Sequence, residues 1–581
     1  MILQALTEYY EALINRLDDT TSLPVFGWSQ VTVQFALFIN AKGELIQIVP
    51  LGDGKNKTGQ TQNVPLQLKR SGTKPPPYFL CDSAMYVLGL EGNTVTPKSK
   101  QYFSSFSAHV QEVLSNVRCP EADAVLNFLQ NWDVERAATH PAVENAFPYN
   151  LGKGKCVFYL TDNSTWVLNS PAIQNAWNHY YEHFCGQEGL GICLVTGRHA
   201  PIARIHNSVK GLRTDVIYAN GWTLVGFDKG SPAFSSYCKE QGYNAPTSQY
   251  AAFAYTTALN HLLSDRVHTF QMGDATVVFW AKSAETAYQD FFGSAFGDTY
   301  EEKDLRGIVK ELCRGHQVEF DAAMLDPNMD FYVLGLSPNA ARLSVRFFLH
   351  NTFGGFLQNI QAHRERLRIV RPAYEKFEVP SLKKLLEATV NQKSKDKQAS
   401  PELAGEMLRA ILNDTPYPAT LLNGAVLRIR AEHEITWPRA AILNAYYLKK
   451  PHREISKKEV LTVSLNEVSS SVPYNLGRLF SVLEAIQQSA NPGINSTIKD
   501  KYFSSASATP AVVFPVLINL AQKHLKKLGD GQRIYFEKQL QAILDKLGEE
   551  FPTRLSLPQQ GAFQLGYYHQ TQARYQKKEE N

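Results

Sequence analysis

The chain has 581 residues, room for several domains, and its 44% hydrophobic and 20% charged content excludes a disordered polymer, a collagen-like fibre and a long coiled coil. Fifty-nine Lys and Arg against 55 Asp and Glu leave a net charge of +4, too little to hold nucleic acid by total charge. Any basic surface must therefore be local.

In chain order, the first residues, MILQALTEYYEALINRL, place Ile2, Leu3, Leu6, Tyr10, Leu13 and Leu17 at helical spacing. They lack a basic lead and a cleavage site, so they predict an amphipathic helix and no signal peptide. VTVQFALFIN (31–40) and GELIQIVPL (43–51) flank Gly43 and predict a hairpin. Further strands are expected over KCVFYLTD, TWVLNS, GICLVTG, GWTLVGF and ATVVFWA, and over DFYVLGL and ARLSVRFFL joined at Ser337–Ala340. Helices are expected over 99–115, 171–184, 247–263 and 353–366. Beyond about residue 375 the strand signals fade. Leu476, Leu479, Phe480, Leu483 and Ile486 then share a helical face, as do Val513, Leu517, Leu520, His524 and Leu528, and Phe536, Leu540, Ile543 and Leu547. The pattern predicts an α+β fold: a mixed N-terminal region with antiparallel hairpins (1–375), a helical connecting region (376–463) and a C-terminal helical bundle (464–581). No apolar run approaches the roughly 20 residues of a membrane span. The seven scattered cysteines form neither a disulfide framework nor a CxxC pair, which suits a reducing cytoplasm.

Motifs for catalysis are sparse. Gly52-Asp53-Gly54-Lys55 is followed by Asn56 where a phosphate loop needs Ser or Thr, and His433-Glu434 lacks the second histidine of a zinc helix. No catalytic residue, metal ligand or cofactor is expected. The positive signals are clusters of charge. Residues 52–74 are expected to form an exposed basic loop that carries Lys55, Lys57, Lys69, Arg70 and Lys74 against Asp53, with Gln62 and Asn63 offering amides to base edges. GRHAPIARIHNSVKGLR holds Arg198, Arg204, Lys210 and Arg213, for nucleic-acid or subunit contact; a structural use is equally open, with Gly197 for a turn, Pro201 for an edge and Arg204 for an ion pair. A third cluster runs through Arg342, Arg346, Arg364, Arg366, Arg368 and Arg371. In the bundle Arg478, Lys499, Lys501, Lys523, Lys526 and Lys527 are candidates to follow a single-stranded backbone.

The runs GRHAPIARIHNSVKGLR, KEQGYNAPTSQYAAFAYTTALN, GDATVVFWA, YVLGLSPNAARLSVRFF, LLNGAVLRIR, WPRAAILNAYY and YNLGRLFSVLEAIQQSANPGINSTIKDKYFSSASATPAVVFPVL resemble the large subunit of the type I-C (Dvulg subtype) CRISPR-Cas surveillance complex, Cascade. The resemblance implies a non-catalytic protein that recognises the protospacer-adjacent motif (PAM) in double-stranded target DNA, helps open it, and contacts the displaced strand. Its implied partners are the CRISPR RNA through the other subunits, the backbone, RNA-end and small subunits of Cascade, and a helicase-nuclease, with no membrane. The last segment, about Ser464 to Asn581, would correspond to the small subunit. Two rival readings are a nucleic-acid hydrolase with dispersed carboxylates such as Asp215, Asp228 or Asp274, and a pure assembly scaffold.

Overall fold

Ala5, Leu6, Tyr9, Tyr10 and Leu13 are buried along one side of the first helix, α1 (Ile2–Arg16), as their spacing predicts. The structure, a computed structural model, describes residues 1–16, 23–52, 59–67, 75–185, 189–214, 221–227, 237–296, 303–391, 393–394 and 399–575. The chain folds as two units, Met1–Val209 with Thr223–Asn260, and Lys210–Trp222 with His261–Asn581.

In the first unit the apolar run at 31–40 is two strands, not one. It breaks at Gln34 into β1 (Trp28–Val33) and β2 (Phe35–Ile39). Gln34 donates its backbone N–H to the Lys155 carbonyl at 3.1 Å and accepts the Lys155 N–H on Oε1 at 2.8 Å, which turns the chain from one sheet into another. Past the break, β2 forms the expected hairpin with β3 (Leu45–Pro50). Gly43 sits in that turn at φ +79°, where a Cβ would lie 2.2 Å from the Phe128 nitrogen, so only glycine fits. β1 pairs instead with β4 (Gln60–Pro65) as an antiparallel ribbon, so the middle of the stretch expected as a basic loop is a strand, held by its ladder with β1.

β5 (Asp82–Ser83) and α2 (Ala84–Val87) lead to α3 (Pro97–Leu114), which opens on a capping box of Thr96 and Ser99 with proline at its first position. There follow α4 (Pro120–Asn131), α5 (Pro141–Glu144), β6 (Lys155–Leu160), β7 (Thr165–Trp166) and α6 (Pro171–Cys185). The sheet has the order β3-β2-β6-β5 with β7 on β6, and its β2–β6 pair is parallel. Phe35, Leu37, Ile39, Phe158 and Leu160 bury against Phe103, Phe106, Val110, Phe128 and Trp177 of the helices. A short hairpin of β8 (Leu190–Ile192) and β9 (His199–Pro201) and the long α7 (Gln249–Ser264) follow. The strand expected over GICLVTG stops at Ile192, and GWTLVGF forms no extended strand.

The second unit begins with a four-stranded antiparallel sheet ordered β10 (Thr269–Met272), β11 (Ala275–Ala281), β14 (Asp330–Asn339), β15 (Arg342–Thr352). Between β11 and β14 lie α8 (Thr286–Phe296), α9 (Lys303–Cys313) and the small ribbon β12 (Val318–Phe320) with β13 (Ala323–Leu325). The β14–β15 hairpin turns where the sequence places it, with Ala340 at φ +50°. Thr352 caps α10 (Phe353–Leu367), whose Phe353 and Phe356 meet Phe291, Phe292 and Phe331 in one aromatic core.

After Thr352 the described residues form helices and no strand: α11 (Leu382–Glu387), α12 (Pro401–Leu412), α13 (Ala419–Glu432), α14 (Trp437–Lys449), α15 (Val472–Ala490), α16 (Ile498–Ala508), α17 (Pro510–Leu525), α18 (Asp530–Leu544) and α19 (Leu557–Tyr575). The fold is thus a mixed α/β region with antiparallel hairpins followed by a helical region. α15 is its axis, buried on every side from Tyr474 to Ile486 because α16, α17, α18 and α19 all pack on it.

Candidate nucleic-acid interface

In the β1–β4 ribbon directly opposed residues share a face, and so do residues two apart along a strand. The register pairs Asn63 with Gln30 and Thr61 with Thr32, and all four are exposed. Gln62 pairs with Val31 and projects from the opposite face, where it is half-buried. The register therefore separates the two amides that the sequence groups together. It adds Gln30 and Thr32, which sequence reading misses because it runs 31–40 as one strand. Trp28 anchors the end of the polar face: it is buried and donates its indole N–H to Asn178 Oδ1 at 2.8 Å. A two-stranded ribbon is narrow enough for the roughly 12 Å major groove of B-DNA, where Asn and Gln amides match adenine. Lys55, Lys57, Lys69, Arg70 and Lys74 lie outside the described residues.

The GRHAPIAR run is organised by a tight turn. Gly197, at φ +69°, donates to the Cys193 carbonyl at 2.8 Å, and Cys193 donates to the Arg198 carbonyl at 2.9 Å. The buried Cys193 Sγ accepts the Ser248 N–H at 3.1 Å and the Val195 N–H at 3.4 Å. Burial would raise this thiol's pKa, but the hydrogen bonds from Ser248 and Thr196 bring it down to about 7. The turn leaves Arg198 exposed, while Arg204 bonds Gln241 Oε1 and pairs with Glu240 at 3.4 Å. Lys210 and Arg213 belong to the second unit, where Lys210 is exposed and Arg213 donates to Thr269 Oγ1 at 3.1 Å and to the Arg266 carbonyl.

In the helical region the candidates part company. Lys501, Lys523, Lys526 and Lys527 are exposed and Lys499 half-buried, on the adjoining helices α16 and α17 and the turn after α17. Lys501 lies 5.3 Å from the centroid of the Tyr502 ring, and Lys527 reaches Asn491 Oδ1 at 3.4 Å. Arg478 turns inward. It is 4% exposed and donates to Gln570 Oε1 at 3.1 Å, Asn475 Oδ1 at 3.0 Å and the Glu467 carbonyl, so it joins α15 to α19 and has no face for a strand. The arginines of the third cluster divide similarly. Arg366 pairs with Asp414 at 2.7 Å inside a network with Tyr417 and Lys449, and Arg346 pairs with Asp274.

Asp274, one of the three carboxylates of the hydrolase reading, is thus engaged by Arg346; Asp215 and Asp228 lie outside the described residues. Among the described residues no group of three or more His, Cys, Asp or Glu has the geometry to hold a metal ion. His268 touches two carboxylates, but both ring nitrogens are taken, Nδ1 by Asp265 and Nε2 by Asp290 at 2.7 Å. No described helix is long and apolar enough to cross a membrane.

A family profile described as CRISPR-associated protein (Cas_Csd1) matches residues 6–575. The chain belongs to the Csd1 family of CRISPR-associated proteins. No curated protein gives a significant match. Every run that carries the resemblance falls inside the matched span, and membership of this family is consistent with a subunit of a Cascade-type complex.

Proposed function

We propose that this Csd1-family chain is the non-catalytic large subunit of a type I-C surveillance complex, recognising the PAM in duplex DNA, stabilising the opened strands and helping to recruit a helicase-nuclease. The observation that carries the DNA-reading part is the polar face of the β1–β4 ribbon. Gln30, Thr32, Thr61 and Asn63 are exposed together on one face of a two-stranded ribbon. The connection from β3 to β4 supplies Lys55 and Lys57 in sequence to neutralise flanking phosphates. In this reading phosphate contacts set the register and the ribbon's amides and hydroxyls distinguish bases.

Two outcomes test it in the assembled complex. Asn63→Ala is expected to relax motif preference by about 1–3 kcal/mol per lost base contact. Gln62→Ala should leave preference unchanged, because its side chain is on the other face. Motif-bearing and motif-scrambled duplexes titrated side by side measure both, and equal preference in the Asn63 variant and parent would remove the ribbon from motif reading. Charge reversal at Lys501, Lys523, Lys526 and Lys527 should spare motif binding but shorten R-loop lifetime. It should also flatten the salt dependence by about 0.7 per lost single-strand phosphate. Incubation of DNA with the chain and Mg or Mn should yield no cleavage; cut product would favour the hydrolase.

A further inference from the structure

Arg306, Lys310 and Arg314 recur every four residues along α9 and its C-terminal turn, forming a stripe about 12 Å long. α9 packs against α10, which presents Gln361, Arg364, Glu365 and Arg368 on one face by the same spacing. Between these walls lies a cavity of about 470 Å³ with Val309, Cys313 and Val379 among its lining. Five cations face two carboxylates, a surplus of +3 that falls to +2 when Glu311, the partner of Arg314 at 2.7 Å, is included. The carboxylates fix the guanidinium groups. Glu378 accepts from Arg306 at 3.0 Å and from Arg368 at 3.4 Å, and Glu365 accepts from Arg368 at 3.2 Å. Burial works against ionisation of Glu378, but the hydrogen bond and charge of Arg306, with Arg368 and Arg371, hold it below the usual carboxylate range.

We infer that this cavity binds the phosphates of a nucleic-acid strand, a site that rests on reading the chain as a DNA-binding subunit. The cations are strung along two opposed helices and do not converge on one point. At the roughly 3.4 Å rise per residue of a B-form strand, a reach of about 12 Å spans three to four phosphates, and fewer on a more extended single strand. Arginine is suited to the task, because its planar fork meets phosphate oxygens two at a time. The apolar floor accommodates sugar or base edges. None of these positions lies in the ribbon or on α16 and α17.

The test uses the full chain and a fluorescein-labelled single-stranded DNA, with anisotropy read between about 50 and 200 mM salt. Neutralising Lys310, Arg314 and Arg364 together (K310Q, R314Q, R364Q) is expected to weaken binding about tenfold or more and to flatten the log-log salt slope by about 2. In the unmodified chain, DNA should slow phenylglyoxal modification of Arg314 and Arg364, read by peptide mass spectrometry. This second readout needs no variant to fold. Unchanged slope and unchanged arginine reactivity, in a parent that still binds DNA, would overturn the cavity and leave the functional reading standing. A parent that binds no single strand at all would overturn the cavity assignment, while the functional reading stands or falls on the duplex titrations in the assembled complex. Equal protection of the arginines by pyrophosphate would overturn the strand assignment in favour of a small-anion site.

Discussion

Alanine at Gly477 is expected to cost the helical region about 3 kcal/mol of stability, and alanine at Gly566 a similar amount. A Cβ on Gly477 would stand 1.9 Å from the Phe563 carbonyl oxygen, and one on Gly566 2.0 Å from the Tyr474 oxygen. Both obstacles are helix backbone, so no side-chain rotation relieves the clash, and α15 and α19 must separate. Separation strains a row of polar contacts sealed in the same crossing. Tyr474 OH meets His569 Nδ1 at 2.8 Å, Ser481 meets Thr571 at 2.8 Å, and Tyr567 OH donates to Glu484 Oε2 at 2.6 Å. Opening them without admitting water leaves buried donors and acceptors unpaired, at about 1–3 kcal/mol each. The gain in helix propensity from glycine to alanine, about 1 kcal/mol, is too small to compensate. The double variant should cost less than the sum, because helices already pushed apart by one methyl accommodate the second. Denaturant unfolding followed by far-UV circular dichroism measures all three. Variants within about 0.5 kcal/mol of the parent would show that the helices do not cross this closely.

Gly477 and Arg478 show where sequence reading reaches its limit. The apolar spacing of Leu476, Leu479, Phe480, Leu483 and Ile486 announces a helix with one buried face, and α15 is indeed a helix. Yet α15 is surrounded, so its intervening Asn475, Arg478, Ser481 and Glu484 are buried too, satisfied by partners on α19 or in flanking segments more than 80 residues away or close in sequence. Periodicity reports one apolar face and has no way to report a polar face that finds its partners in tertiary structure. An arginine in such a helix looks like a surface charge. The ribbon is the converse case. Alternation over 31–40 is legible, but the hand-over at Gln34 depends on Lys155, 121 residues later. A local pattern cannot reveal it, so Asn63 stands out in the sequence without its neighbours Gln30 and Thr32. Local features are easier to read: the Gly43 turn, the Ser337–Ala340 turn and the helices near 99–115 and 353–366 depend on nearby residues, and they stand where expected.

Acidification from pH 7 to pH 5 is expected to remove about 2 kcal/mol of stability for each of three histidines buried in neutral form, two in the second unit and one in the first. His363 and His569 are pushed down to about 3, in both cases chiefly by burial; at His363 the nearby Arg366 and Arg364 add to it. His206 is pushed down to about 4 by burial. Each keeps Nδ1 on a tyrosine hydroxyl, of Tyr417 at 2.7 Å, Tyr474 at 2.8 Å and Tyr255 at 2.7 Å. In the unfolded chain a histidine titrates near 6.5. These groups therefore contribute their full stability above that value and lose it as pH falls toward 3 or 4. At pH 5 the unfolded imidazole is already protonated and the folded one is not, a difference of about 2 kcal/mol per group. That figure hardly depends on how far below 5 the folded value lies. His268 acts in the opposite sense. Burial lowers its pKa, but the hydrogen bonds to Asp290 and Asp265 outweigh that and raise it, so its stabilisation is complete below about 6.5 and fades as pH rises through its folded value. Asp414 and Glu378, held below the ordinary carboxylate range, lose their contribution only at pH values beneath this window. Denaturant titrations of the parent and of H569Q at pH 7 and pH 5 separate the terms. The variant need not match the parent at pH 7, but its loss on acidification should be smaller by about 2 kcal/mol. An identical loss in both would mean that His569 accepts a proton inside the fold, and with it that the Tyr474–His569 contact opens to water.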